Sequence, residues 1–290
     1  MMNAGYRVGF HVSISGGISN SVDNAKGMGC SAFQIFSRNP RGWAAKPLTA
    51  DDISLFKSKM AASGIDRTAT VVHMPYLPNL SGPPGESYVK SVDTLAGEIG
   101  RCGDIGIPYL VIHLGSHMGK GAKSGIYQLA NAVNTARDRV KKNNGVTVLL
   151  ENSAGQKNSI GSQFEEMRTI LEMIGNAEVC LDTCHLFAAG HDLRTPESVE
   201  KVLGSFSSAV GIGRLKIVHL NDSKGPLGSN LDRHEHIGLG NIGNAGLAAF
   251  ARHKEIAGLP IVMETPIEDS RGEAENMKAF LGLVTNPQYS

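Results

Sequence analysis

Eight times along these 290 residues a short run rich in Val, Ile and Leu is followed by a segment with helical character. The runs lie at 7–12, 32–36, 70–73, 109–113, 146–151, 178–182, 216–220 and 260–264. Strand, helix, strand in this alternation calls for parallel pairing, since the chain must cross the face of the sheet before the next strand can lie beside the last. Eight parallel strands with right-handed crossovers suit closure on themselves. The expectation is an α/β chain forming a single (β/α)8 TIM barrel over residues 1–290, with the active site at the C-terminal ends of the strands. An open doubly wound sheet is the other arrangement this alternation permits. No low-complexity linker, charge block or internal repeat divides the chain.

Two intervening segments show why they should be helical. In one, Thr49 can cap the start and Asp51 and Asp52 suit the positive end of the dipole; Ile53, Phe56 and Met60 then share a face before Gly64 stops it. In the last, Met277, Phe280, Leu281 and Val284 make an apolar stripe at i, i+3, i+4 and i+7.

The strand ends narrow the function. Apolar runs close on His73, His113, Glu151, Asp182, His219 and Glu264, and two further clusters, Asp182-Thr-Cys-His185 and Asp232-Arg-His234, fall in loops at the same end. Of the ten histidines only His253 reads as lying well inside a helix. A lone histidine or carboxylate at a strand end usually bonds loop backbone. Six converging on one mouth are different, because four carboxylates and several imidazoles there would repel one another or stand unpaired without cations. Mixed imidazole and carboxylate donors favour zinc, with manganese or iron as substitutes; magnesium would take mostly oxygen. Nine candidate ligands exceed what one ion accepts, so two or three ions are implied.

Other chemistries find little support. Ser116, Ser153 and Ser229 lie near histidines in sequence, but no G-x-S-x-G elbow follows a strand. Gly238-Leu-Gly240-Asn-Ile-Gly243 fits G-x-G-x-x-G formally, yet it does not directly follow a strand and reads as a turn into a helix. Cys180 and Cys184 lack a second cysteine pair, which argues against a structural zinc finger; with Cys30 and Cys102 they read as buried, reduced thiols. No apolar run approaches the roughly 20 residues of a membrane span, and the start carries no signal-peptide pattern, so a soluble intracellular protein is expected. The formal net charge of +1 decides nothing about an anionic partner.

These segments together resemble the endonuclease IV family of zinc-dependent DNA-repair enzymes. The matching stretches are His73-Met-Pro-Tyr76-Leu, His113-Leu-Gly-Ser-His117, Glu151-Asn-Ser-Ala-Gly-Gln156, Asp182-Thr-Cys-His185, His219-Leu-Asn-Asp-Ser-Lys224, Asp232-Arg-His234 and Glu264-Thr, in the family's order from Gly9-Phe-His11 almost to the C-terminus. The resemblance implies three Zn²⁺ ions. His73, His113 and Glu151 would hold the first; Glu151, Asp182, His219 and Glu264 the second, with Glu151 bridging; His185, Asp232 and His234 the third. Glu151, Asp182 and Glu264 are thereby the carboxylates nearest the chemistry. The implied substrate is double-stranded DNA with abasic sites or blocked 3′ ends. Cleavage 5′ to the lesion would leave a 3′-hydroxyl and a 5′-deoxyribose phosphate. Arg41, Tyr76 and Leu77 match positions that enter the duplex; read without the resemblance, Arg41 is solvated and Leu77 and Trp43 pack under loops. A cytoplasmic monomer acting on the nucleoid is implied as well.

His11, His117 and His236 are candidates for supporting roles. Three residues depart from the family pattern and bear on loop shape and DNA contacts: His191 where tyrosine is expected, Pro78 for an aliphatic residue, and Lys157 for a small one. The competing readings are a metal-dependent sugar isomerase or epimerase on the same barrel, and a metal-bearing DNA-binding protein without catalysis. An isomerase would use one or two ions and would have no use for Asp232-Arg-His234.

Overall fold

The computed structural model describes residues 5–140, 145–266 and 271–289. Its main sheet comprises β1 (Arg7–Phe10), β2 (Phe33–Phe36), β3 (Thr70–His73), β4 (Tyr109–His113), β5 (Thr147–Glu151), β6 (Ala177–Asp182), β7 (Leu215–His219) and, after a hairpin of β8 (Asp222–Ser223) and β9 (His234–Glu235), β10 (Pro260–Met263). The helices are α1 (Asn20–Gly27), α2 (Ala50–Ser63), α3 (Glu86–Ile105), α4 (Ala122–Arg139), α5 (Phe164–Ile174), α6 (Thr183–Ala188), α7 (Pro196–Ala209), α8 (Gly243–Arg252) and α9 (Glu273–Thr285). All eight main strands pair parallel, in the order β1, β10, β7, β6, β5, β4, β3, β2.

The seam between β1 and β2 closes by single hydrogen bonds, from Ser31 N to Val8 O and from Val12 N to Gln34 O, both 2.8 Å. Gly9 allows this approach, since a Cβ there would stand 1.9 Å from the carbonyl oxygen of Ala32. The eight strands thus wrap into a nearly closed TIM barrel, the expected one of the two arrangements that the alternation permits.

Side chains alternate between the interior of the barrel and the helix layer. Val71, Val111, Leu149, Cys180, Ile217 and Val262 form a fully buried layer of their own. Two residues beyond each, on the same face, come His73, His113, Glu151, Asp182, His219 and Glu264. The period of a strand thereby converts six apolar interior positions into six polar ones at the mouth. Register then pairs His113 with Glu151 and Asp182 with His219 across adjacent strands.

Local signals in the helices operate as expected. Thr49 caps α2 in a reciprocal capping box with Asp52, and Gly64 ends it at φ 76°. In α9 the buried residues are Asn276, Met277, Phe280 and Leu283, with Leu281 and Val284 half-buried beside them. Two expectations need correction: Thr183-Cys-His185, expected in a loop, opens helix α6 behind its cap Asp182, and His253 lies just past the end of α8, with Nε2 3.0 Å from Glu200. The sequence carries no glycine or proline at that point to mark the end.

Candidate metal centre

The mouth of the barrel brings the nine predicted donors into three groups, in each of which the donor atoms lie within 4.8 Å of one another: His73, His113 and Glu151; Glu151, Asp182, His219 and Glu264; His185, Asp232 and His234. Glu151 belongs to two groups because its oxygens face different ways. Oε2 lies 3.1 Å from His73 Nε2 and 3.4 Å from His113 Nε2, whereas Oε1 lies 3.1 Å from His219 Nδ1. His219 Nδ1 is also 3.3 Å from Glu264 Oε2. Asp232 Oδ1 sits 3.1 Å from His185 Nε2 and 3.5 Å from His234 Nε2.

Each group mixes rigid and looser members. Glu151, Asp182 and His219 end main strands and are buried. Asp232 and His234 come from the β8–β9 hairpin and are partly exposed, as is His113 at the rim. Asp182 also caps the short helix α6, accepting the backbone N–H of His185 at 2.8 Å. That bond sets His185 one turn away on the same side.

The rings are held by their far nitrogens. His73 Nδ1 donates to the carbonyl of Met74 at 2.7 Å, His185 Nδ1 to that of Asn152 at 3.0 Å and His234 Nδ1 to that of Glu264 at 3.1 Å. His219 Nε2 donates to Gln34 Oε1 at 2.9 Å. A carbonyl only accepts, so the hydrogen of a neutral ring sits on that nitrogen and the other nitrogen turns a lone pair toward carboxylate oxygens. Lone pair facing lone pair is stable only with a cation or proton between them. His185 Nε2 and His234 Nε2 are buried and find no aligned hydrogen-bond partner. The donor set therefore fits divalent metal on geometry and on chemistry.

Without metal, the same crowding would be met by protons. Burial opposes ionisation of Asp232, but the close contact with His185 and the charges of His185, His234 and His113 outweigh burial and bring its pKa to about 2. Burial likewise opposes charge on Glu151 and Glu264, and neighbouring imidazoles, His113 and His219 for the first and His219 and His11 for the second, hold both well below the usual carboxylate range.

Three amide side chains that sequence reasoning passed over complete the support. Gln34 reaches His219, Glu264 and, at 2.9 Å, His11 Nδ1. Asn221 donates to Asp182 Oδ2 at 2.6 Å and accepts from Glu264 N at 2.7 Å. Asn152 brackets the backbone of Asp182 through both amide atoms. A signal was present, for Asn152 and Asn221 follow strand ends within two residues of Glu151 and His219. Of the supporting histidines, His11 lines the mouth, whereas His117 accepts a turn N–H from Gly121 and His236 packs on Asn276.

The cavity over these groups has a volume of about 360 Å³ and is walled by Phe36, Tyr76 and Met263. Tyr76 and Leu77 stand exposed on the loop after β3, and Arg41 is exposed on the loop after β2, where Trp43 is also 37% exposed. His191 stacks on Phe164 at 4.6 Å and bonds the carbonyl of Ser162, so it braces the α5–α6 region and does not reach the mouth. Lys157 borders a second cavity of about 370 Å³ beyond His113, lined also by Pro78.

The remaining motifs settle simply. Among the described residues none of Ser116, Ser153 and Ser229 is hydrogen-bonded to a histidine. The glycine-rich turn leads into α8, and its N–H groups at Gly240, Ile242 and Gly243 are taken by the buried carboxylate of Asp222. All four cysteines are free and buried. Cys184 does lie near Asp182 and His234, but its thiol donates to the carbonyl of Arg233 and burial raises its pKa, which opposes thiolate formation.

Comparison with known proteins places this geometry among relatives. A family model described as a xylose isomerase-like TIM barrel matches residues 22–282. A probable endonuclease 4 of Cenarchaeum symbiosum is 54% identical over 281 residues, spanning 96% of this chain and 99% of the relative. The crystal structure of endonuclease IV from Thermus thermophilus superposes with a TM-score of 0.86 at 35% identity, covering 96% of this chain and 98% of that one. A D-tagatose 3-epimerase-like protein shares the fold alone, with a TM-score of 0.69 at 19% identity over 98% of this chain and 96% of that one.

Proposed function

Since the chain belongs to the endonuclease IV family and is a metal-dependent AP endonuclease of DNA repair, we propose that it hydrolyses the phosphodiester 5′ to an abasic site with three Zn²⁺ ions. The products would be a 3′-hydroxyl and a 5′-deoxyribose phosphate, and the same site would clear blocked 3′ ends. The observation that carries this reading is the set of three donor groups in which ring nitrogens face carboxylate oxygens, with His73, His185, His219 and His234 held from behind.

Divalent ions held there supply Lewis acidity at the phosphoryl oxygens and make water a nucleophile at neutral pH. The protein's part is geometry. Glu151 ties two donor groups together through its two oxygens and so sets their spacing. Asp182, His219 and Glu264 complete the second group, and Gln34 and Asn221 keep those side chains from turning. His185, Asp232 and His234 would hold a third ion, whose charge would stabilise the departing oxygen. An abasic nucleotide has no base to unstack, so turning it out of the helix into the cavity costs less than for an intact one. Arg41, Tyr76 and Leu77 would fill the space it leaves.

A sugar isomerase is not favoured, because the third donor group has no place in its chemistry. The working form proposed is a monomer acting on DNA inside the cell. Among the described residues no helix is long and apolar enough to cross a membrane. Metal analysis coupled to incision of a duplex with one abasic site tests the proposal. Close to three zinc equivalents per chain are expected; full activity with a single ion per chain would refute the trinuclear reading.

A further inference from the structure

Helix α3 packs Tyr88, Val92, Leu95, Ile99 and Cys102 inward, yet the same side also carries Glu98, only 1% exposed. A carboxylate that deep is retained only where partners replace its lost hydration. Those partners come from the loop after β2. Ser37 Oγ donates to Glu98 Oε2 at 2.6 Å, and Arg38 Nε lies 3.3 Å from Oε1. Arg101, one turn along α3, donates to Ser37 Oγ at 2.7 Å, to the carbonyl of Lys46 at 2.9 Å and to the carbonyl of Ser37. Arg38 continues outward to the carbonyls of Gly42 and Trp43, at 3.3 and 3.2 Å.

Both ends of the 37–46 loop are therefore fastened to α3, and the cluster lies outside the metal centre. Between the fastened ends stands Arg41. Its backbone N–H is taken by Asn39 Oδ1 at 3.0 Å, while its guanidinium makes no hydrogen bond or ion pair among the described residues. The carbonyl of Pro40 accepts from Tyr76 N at 3.3 Å, which links this loop to the one bearing Tyr76 and Leu77. A buried charge is an expensive way to stop a surface loop from moving, and the loop it stops carries the exposed Arg41 next to Pro40, the residue bonded to the cavity-lining Tyr76.

We infer that Glu98 is a positioning residue for DNA recognition: through Ser37, Arg38 and Arg101 it fixes the loop so that Arg41 stands beside Tyr76 at the mouth. The inference rests on the proposed duplex contact of Arg41. It is tested by kinetics of Glu98→Gln, Arg41→Ala and the double variant on an abasic duplex and on bis(4-nitrophenyl) phosphate. Glu98→Gln raises KM for the duplex roughly tenfold, the scale on which a small misplacement acts, and spares kcat, zinc content and turnover of the small diester. In the Arg41→Ala background it adds little. An equal rise in KM in both backgrounds, or a fall in kcat on both substrates, overturns the inference. Should Glu98→Gln not fold, Ser37→Ala enters the same cycle, since it removes the hydrogen bond that joins the loop to Glu98 and keeps the Arg38–Glu98 ion pair. Amide exchange over 37–46 separates the two layers of argument. Unchanged exchange in Glu98→Gln refutes the anchoring. Faster exchange, with an Arg41→Ala enzyme that cuts duplex like its parent, refutes the DNA role of Arg41 and the inference that depends on it.

Discussion

The donor cluster and the rim loops lie side by side and are built on opposite principles. Glu151, Asp182 and His219 are at most 2% exposed and fixed by strand register, a helix cap and amide side chains. Tyr76 and Leu77 are 65% and 40% exposed and stand on loops held by hydrogen bonds to neighbouring loops and to α3. The difference follows from what each region meets. Metal coordination tolerates errors of tenths of an ångström, so it is placed on the stiffest elements. A duplex arrives with its own shape, and the surface that receives it needs reach and an unoccupied polar group.

The largest expected effect comes from breaking the rigid side alone. Glu151→Gln should lower kcat on an abasic duplex about a thousandfold or more, several kcal/mol of transition-state stabilisation, with the far-UV circular dichroism of the parent. Turnover close to the parent's would remove Glu151 from its bridging role.

Metal removal asks whether the two regions share the work of binding. Three Zn²⁺ would carry the formal charge from +1 to about +7, concentrated at the mouth. Chelated protein that keeps its circular dichroism should bind abasic DNA about a hundredfold more weakly at low salt, where screening is least. Equal affinities would mean that side chains such as Arg41, Lys120, Lys157, Lys224 and Arg233 hold the DNA unaided.

A subtler break is Gln34→Ala, which leaves every donor in place and removes the amide that orients His219 and Glu264. Zinc affinity should fall about 10–100-fold, measured by competition with a chelator, as for other residues that orient metal ligands. An unaltered affinity would show that strand register alone fixes the donors.

The smallest effect belongs to the rim. Alanine at Arg41, Tyr76 or Leu77 should cost about tenfold each on an internal abasic site, near 1.4 kcal/mol, and less on a small unstructured phosphodiester. Equal losses on both substrates would erase the functional division between rim and centre.

Much of the centre is legible in the chain because a strand repeats every two residues. Val71 and His73, Leu149 and Glu151, Ile217 and His219 are apolar and polar members of one inward-facing column, and that pairing is visible without coordinates. The caps of α2 are equally local. The end of α8 before His253 escapes such a reading, because a helix end without a glycine or proline signal depends on what packs against it.

The sequence by itself determined the alternation of strands and crossovers, the end of the strands at which the site lies and the six donors that close strands, since each of these follows from short-range periodicity. Tertiary structure decided which donors share a group and which way the two oxygens of Glu151 point. It also turned Gln34, from a strand on the far side of the seam, toward His219, and closed Glu98 of α3 onto Ser37 and Arg38. Ser37 and Glu98 are 61 positions apart in the chain, and Gln34 and His219 are 185 apart. Nothing local encodes a pairing over that distance; it exists only once the sheet has closed and the helices have settled on it.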